Sequence, residues 1–381
     1  MSRILITGAR APVALHLARL FAADGHAVTL ADSQAHPLAR ATRHAGYIRL
    51  PSPTAGLLAF GEALSDACST HRIDLIIPTC EEVLYLAAVR DLFAFDLPIW
   101  APDFEDLKRV HNKYSFAQLT QTGPVTAPET HLLKSRADLE SVPAGEWIYK
   151  PVWSRFGDRV LIHPDKQTLA TLLPTPTDPW VAQTWLPGEE LCCHAVVHQG
   201  RCVAHQGYRP LWRAGMDKGA GVAVEPVNDP GITAFVEGFV AAQTWHGHIS
   251  FDFRRDATSR LYVIECNPRA TTGAHFFTAD DHLPDAMLNG TPAQASRKTA
   301  LTVPLAMLTY ALPQALKTGR LRQWQRDFGR MGNLLSDSND RPTWPYELRA
   351  LAEIITGAVL TGKGLKATAT ADIEWNGGAF L

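Results

Sequence analysis

Glu265, Asn267 and Arg269 close an otherwise apolar segment, LYVIECNPRA (261–270), at a spacing of two. On an extended chain residues two apart share a face, so Glu265 and Asn267 point the same way. The segment SFDF upstream puts Ser250 and Asp252 on the face opposite Phe251 and Phe253. If the two segments pair through a turn near Asp256–Ser259, Asp252 arrives at the same edge. Two carboxylates and an amide oxygen are hard ligands that suit Mg²⁺ or Mn²⁺, ions that share their coordination with substrate phosphates. The plain alternative is three solvent-facing strand residues.

Further candidates precede this hairpin. Lys150 ends the strand-like run WIYKP and offers a point charge for phosphate oxygens. The loop after it, VWSRFGDRV (152–160), carries Ser154, Arg155, Gly157 and Arg159, donors able to cover a triphosphate. No G-x-x-x-x-G-K-[ST] P-loop occurs. In QTWLPGEEL the backbone of Ala182–Leu186 can read an adenine edge, and one of Glu189 and Glu190 can accept from ribose hydroxyls. The segment 208–227, with Arg209, Arg213, Lys218 and two glycines, reads as a mobile loop that holds a carboxylate. Glu81 and Glu82 begin a helix where acids are favoured by the macrodipole in any case, and could meet an amine. Thr272-Gly273-Ala274-His275 follows the metal-type strand and could line the pocket, His275 reading as structural rather than as a base.

The elements that must position these groups fall into two kinds. Short apolar runs at 3–8, 27–32, 47–51, 73–79 and 97–102 alternate with helical patterns at 55–71 and 81–92, which predicts a parallel sheet in an α/β unit over 1–102. Its first turn, Gly8-Ala-Arg-Ala-Pro-Val, lacks the second and third glycines of a dinucleotide fingerprint, although Asp32 sits where a ribose-binding acid would lie. The middle of the chain predicts a helix over 103–123, a strand leading into a Pro-Gly turn over 180–191, a hairpin over 192–208 turned at Gln199-Gly200, a helix over 230–245 and a hairpin over 247–268. Residues 291–381 read as mostly helical, and the amphipathic stretch 346–360 as a helix packing one stripe on the core.

Composition bounds the class. With 381 residues two or three domains of about 100–200 residues each are expected. A hydrophobic share of 46% against 19% charged residues makes a sizeable core attainable. A net charge of −2 argues against a generic nucleic-acid binder. The six cysteines form no C-x-x-C pair, so a disulfide framework or structural zinc is not expected. The start MSRILITGAR lacks a signal-peptide layout and no apolar run approaches the roughly 18 residues of a membrane span, which points to a soluble cytoplasmic protein.

In this order the pieces resemble the ATP-grasp superfamily: a helix lysine in HNKYSF, the strand lysine in YKP, a loop, QTWLPGEEL, a hairpin with FDF, then IECNPR. Over about residues 1–290 the chain is similar to carbamoyl-phosphate synthetase large-subunit domains and D-alanine–D-alanine ligase, with E-x-N-P-R the most specific piece. The resemblance implies an α/β N-terminal Rossmann-like (pre-ATP-grasp) domain at 1–102. An α+β ATP-grasp domain at 103–290 would follow, then a mostly helical C-terminal region at 291–381. It implies ATP phosphates held by Lys113 and Lys150 with Arg155 in the loop over them, adenine read at Gln183, Thr184, Trp185 and Leu186, and ribose bound by Glu190. It further implies Mg²⁺ or Mn²⁺ on Asp252, Glu265 and Asn267, transferred phosphate stabilised by Arg269 and Lys150, and substrate contacts among Glu82, Arg209, Lys218 and Arg269. Two departures stand out. The phosphate loop has Gly157 alone where relatives have several glycines, and the hinge has Thr184-Trp185 where Glu-Tyr is commoner. The implied activity is ADP-forming ligation of a small-molecule carboxylate to an amine, through an acyl phosphate. A bicarbonate-activating carboxylase or carbamoyl-phosphate-type enzyme is the alternative within the superfamily; outside it stand an NAD(P)-binding oxidoreductase and a nucleotide-binding protein without turnover. No nucleic-acid or membrane partner is expected, and the C-terminal region is open to capping the acceptor site or to a homodimer contact.

Overall fold

The computed structural model describes residues 1–154, 159–215 and 219–380. β1 (Arg3–Thr7), β2 (Ala27–Asp32), β3 (Ala45–Arg49) and β4 (Leu75–Ile77) form a parallel sheet in the order β3-β2-β1-β4. Helices Pro12–Ala23 and Leu57–His71 supply crossovers, which parallel neighbours require. Ile4, Leu5 and Ile6 are fully buried, because helices or the rest of the molecule cover both faces. The fifth strand expected at 97–102 shrinks to one parallel bridge, Ile99 with Ile76. Pro98 and Pro102 flank it and lack the N–H groups a longer ladder needs.

Two further sheets make the middle of the chain. β5 (Thr130–Leu133), β6 (Trp147–Pro151), β7 (Leu161–Ile162) and β8 (Trp180–Thr184) form a small antiparallel sheet ordered β5-β8-β6-β7. The large sheet contains β9 (Glu189–His198), β10 (Arg201–Arg213), β11 (Gly221–Val227), β12 (Gly247–Arg255), β13 (Leu261–Asn267), β14 (Leu301–Thr302) and β15 (Gly332–Asn333). Its order is β13-β12-β9-β10-β11-β14-β15. β9 and β10 turn through Gln199 and Gly200 at φ +49° and +79°, the backbone a two-residue hairpin loop demands. Helix Pro230–Ala242 sets Val236 and Phe239 against Phe251 and Phe253 of β12, all buried. At about 1.5–3 kcal/mol for each such side chain, this packing anchors β12 and leaves Asp252 on the other face.

The structure corrects several expectations. The helix read over 103–123 is two helices, Phe104–His111 and Lys113–Leu119. Asn112 between them is extended, and its side chain caps the second by accepting from the Ser115 amide at 2.9 Å. The strand that leads into the Pro187-Gly188 turn ends at Thr184, and the chain passes there from the small sheet to the large one before β9. The segment 208–227, read as a loop, is mostly strand: β10 runs to Arg213 and pairs with β11. In the C-terminal region the short strands β14 and β15 stand among the helices and extend the large sheet. Helix Trp344–Thr361 buries none of its residues and leaves Leu348, Leu351, Ile355 and Val359 exposed, so it is not core packing. Among the described residues no helix is long and apolar enough to cross a membrane.

The last residues fold back over the first unit. Arg10 bonds Asp32 and Asp372, each at 2.5 Å, and donates to the Ala369 carbonyl at 3.0 Å. Trp375 packs on Phe104 and Trp153 at ring distances of 5.4 and 4.8 Å. Asp32, the acid that a dinucleotide reading needs, is thus committed to Arg10 and also accepts from the Arg10 and Gln34 amides. The turn at Gly8 is closed as well, for a Cβ there would lie 2.6 Å from Thr79 Oγ1 and 2.8 Å from Glu82 Oε1.

Four buried histidines run through the joint between the first unit and the large sheet. The His16 and His275 rings are 4.8 Å apart, and those of His194 and His248 5.1 Å. Burial lowers His16 to about 4 and His194 to about 3, and lowers His248 and His275 with help from neighbouring histidines. They fold neutral, while the unfolded chain takes up their protons below about pH 6.5. Their contribution to stability is therefore complete above pH 6.5 and falls as pH drops from there toward 4. The expected loss is about 1.4 kcal/mol per pH unit for each histidine that stays neutral. Equal unfolding free energies at pH 7.5 and pH 5.5 in denaturant titrations would overturn this account.

Candidate active site

The two carboxylates meet because β13 carries one extra residue. From the turn outward Arg255 pairs with Leu261, Arg254 with Tyr262 and Phe253 with Val263; then Asp252 pairs with Glu265, leaving Ile264 as a bulge. Cross-strand partners share a face. Without the bulge Asp252 would face Ile264, and Glu265 would fall opposite core-facing Phe251. Beyond the bulge Ser250 pairs with Asn267, and Asn267 Nδ2 donates to Asp252 Oδ2 at 3.1 Å. Pro268 ends the strand, and Ser250 Oγ holds the chain there by donating to the Arg269 carbonyl at 2.9 Å.

Three cations reach this acidic face from different elements. Lys113, at the start of its helix, places Nζ 3.4 Å from Glu265 Oε2 and donates to the Ser154 carbonyl at 2.5 Å. Lys150, on β6, lies 3.8 Å from the same Glu265 oxygen and donates to Gln183 Oε1 at 3.0 Å. Arg269 donates to Asn267 Oδ1 at 3.2 Å and stands 3.6 Å from Glu81. Burial lowers Lys150 to about 8, with Lys113 adding to the effect and Glu265 opposing it. Burial also acts to raise Glu265, yet Lys113 and Lys150 outweigh it and hold this carboxyl below its usual value. Asp252 is pushed up to about 7 by burial and by the charges of Glu265 and Glu190.

A cavity of about 310 Å³ opens between the small and large sheets. Asp252, Glu265, Asn267 and Arg269 line its polar end, and Ile148, Ile162 and Trp185 its apolar end. Glu190 lies on its wall bound to Arg213, with Arg254 at 3.3 Å. Arg254 also sits over the Trp185 ring, 5.3 Å from its centre. Of the expected adenine hinge, Gln183 turns inward to Lys150 and Thr130. The Thr184 and Trp185 amides donate to the Glu129 and Glu146 carbonyls, so the fold uses them; Trp185 reaches the cavity through its ring, and Leu186 is not in the lining.

The donor set fits a small divalent cation. Asp252, Glu265 and Asn267 offer oxygen only, and Asp252 carries unbalanced negative charge. Among the described residues no three His, Cys, Asp or Glu side chains cluster into a metal cage. Mg²⁺ takes one or two carboxylates and completes its shell with phosphates and water.

Other expected residues lie elsewhere. Glu82 is buried in the first unit and accepts from Thr7 Oγ1 at 2.8 Å and from the Thr79 and Cys80 amides, with burial raising its pKa. The acid near Arg269 is Glu81. Arg209 points away from the cavity, because Tyr208 and Pro210 take the inner face of β10, and it pairs instead with Glu189 and Glu225. Arg155 and Lys218 lie outside the described residues. Sequence reasoning missed Arg254, although its spacing of two from Asp252 puts it on the same face. It gave Arg213 no part beside Glu190: irregular pairing between Pro210 and Arg213 breaks the alternation that would have placed it.

No protein-family model matches the chain, and no curated protein matches it by sequence. Solved structures do. The L-amino acid ligase of Bacillus licheniformis is 17% identical, with 78% of this chain and 76% of that one covered at a TM-score of 0.58. The N5-carboxyaminoimidazole synthetase of Staphylococcus aureus is 15% identical, with 92% and 97% covered at 0.60. The biotin carboxylase domain of Hydrogenobacter thermophilus 2-oxoglutarate carboxylase, solved with MgADP and bicarbonate, is 13% identical, with 78% and 73% covered at 0.58. The chain shares its mixed helix-and-sheet fold with these three enzymes.

The passage between the sheets depends on Gly188, at φ +142°, where a Cβ would overlap the Arg255 carbonyl oxygen. Gly188→Ala is expected to cost about 2–4 kcal/mol and to lower the melting temperature by several degrees. Unchanged melting would show that the approach is not close.

Proposed function

We propose that the chain is an ATP-dependent ligase that activates a carboxylate as an acyl phosphate and joins it to an amine. The observation that carries this reading is the convergence of Asp252, Glu265 and Asn267 with Lys113, Lys150 and Arg269 at one end of a cleft between two sheets. The named relatives in fold include two ligases or synthetases and a MgADP-bound carboxylase domain, which supports ATP and Mg²⁺ as its nucleotide and metal.

In this reading the base lies against Trp185, Ile148 and Ile162, with the 183–186 segment beside it, and Glu190 turns from its arginines toward the ribose. Lys113 and Lys150 exchange part of their contact with Glu265 for phosphate oxygens. Asp252, Glu265 and Asn267 would hold Mg²⁺, which would neutralise charge on the phosphate oxygens. A substrate carboxylate oxygen bonds to the γ-phosphorus while the β–γ bridging oxygen leaves with its electron pair on ADP. An amine nitrogen then adds to the acyl carbon, loses a proton and displaces phosphate. Arg269 and Lys150 stabilise the negative charge on the transferred group, and positioning supplies most of the remaining acceleration. The divisions 1–102, 103–290 and 291–381 belong to the same proposal.

Glu265→Gln and Lys150→Met are each expected to lower ATP- and acid-dependent phosphate release by about 10²–10³-fold, read on protein whose melting transition shows it folded. Arg269→Met should also abolish the hydroxamate formed when hydroxylamine traps an acyl phosphate. Undiminished phosphate release in these variants would sink the assignment.

A further inference from the structure

A second cavity, of about 370 Å³, lies on the far side of Arg269 from the nucleotide cleft. The two share Arg269, Thr271, Thr272 and the Ala220–Gly221 backbone, so a molecule in the second has its near end at the phosphate end of the first. Its body is apolar: Val13, Val222, Leu301 and Val303 form one wall, and Ile354 and Ile373 from the C-terminal segment form the other. Polar groups gather at the near end. Glu81 and Arg269 stand 3.6 Å apart there. His275 lines the cavity too, and its buried Nδ1 has no hydrogen-bond partner among the described residues. Arg10 also borders the space, but its guanidinium is spent on Asp32 and Asp372.

We propose that this cavity is the subsite for an α-amino acid with an apolar side chain, whose carboxylate is the one activated, and that Ala350, Ile354 and Ile373 set the size it accepts. The proposal rests on the ligase reading for the activation step, though not for the binding itself. An adjacent cation and anion complement a zwitterion: Arg269 takes the carboxylate and turns it toward the γ-phosphate, while Glu81 takes the ammonium. A polar side chain entering the apolar body would lose its water without regaining hydrogen bonds, whereas each buried methylene tightens binding roughly fourfold. Bicarbonate would leave most of this volume unfilled. The C-terminal segment that closes the cavity is fixed by Arg10 on Asp372 and by Tyr85, which donates to the Glu374 carbonyl at 2.7 Å.

The test is calorimetric titration of the whole chain with leucine, phenylalanine, serine, aspartate and lysine, and with 4-methylpentanoate, the leucine analogue lacking the ammonium. Each is run with and without a non-hydrolysable ATP analogue. Leucine or phenylalanine should bind at least tenfold tighter than the polar amino acids and than 4-methylpentanoate. Ala350→Phe, with folding checked by melting, should move the preference at least tenfold toward smaller side chains, and Ile354→Ala toward larger ones. Binding of leucine without hydroxamate formation under ATP and hydroxylamine would uphold the subsite while removing the ligase reading. Equal binding of polar and apolar amino acids, equal binding of 4-methylpentanoate, or no binding of leucine or phenylalanine in either condition would overturn the proposal.

Discussion

Two partly buried carboxylates held across one strand pair are the constraint around which this molecule is arranged. Asp252 and Glu265 repel each other, and burial penalises both charges. Such a pair persists only if cations are brought to it. Lys113 and Lys150 do this for Glu265, and Asp252 stays partly unrelieved, with its carboxyl raised to about 7. The site thus rests in a charge state that a divalent cation and a phosphate chain would complete.

That requirement accounts for the architecture. The carboxylates belong to the large sheet, Lys150 to the small one and Lys113 to a helix between the first unit and both sheets. Lys113 starts its helix, Lys150 lies near the end of β6 and Glu265 is on the edge strand β13, while the phenylalanine packing behind β12 fixes the strand that bears Asp252. The cleft between the sheets is therefore an electrostatic junction as well as a space. The C-terminal segment adds a second closure. It bonds to Arg10 and Tyr85 of the first unit, packs Trp375 on Trp153 just before the loop that follows Lys150, and walls the apolar cavity next to Arg269. A single strap therefore touches the first unit, the second cavity and the chain just beyond Lys150.

Some of this was legible in the residues. Alternation around Phe251-Asp252-Phe253, the Gln199-Gly200 turn and the strand end at Pro268 follow from local rules, and the structure contains all three. The errors have physical causes. Glu81 and Glu82 are neighbours on one helix start, and only the packing of Thr7 against Glu82 determines which of them is consumed by the fold. Arg209 and Arg213 looked equivalent in a presumed loop, until strand pairing sent the first to solvent and the second to Glu190. The apolar stripe of Trp344–Thr361 looked like a core face, yet Leu348, Leu351, Ile355 and Val359 stay exposed.

The sequence by itself determined which chemistry was available: oxygen ligands and cations in an order and spacing similar to those of ATP-grasp ligases, on a chain able to build a large core. Local periodicity settles the face of a residue along its own strand, because each side chain alternates with the next. Tertiary structure alone decided what faced what. The one-residue bulge at Ile264 set the register that joins Asp252 to Glu265. The junction of two sheets placed both lysines on one carboxylate, and the return of residues 369–375 to Arg10 made the second cavity. Each of these links positions far apart in the chain, and their outcome rests on packing and charge balance that no local pattern encodes.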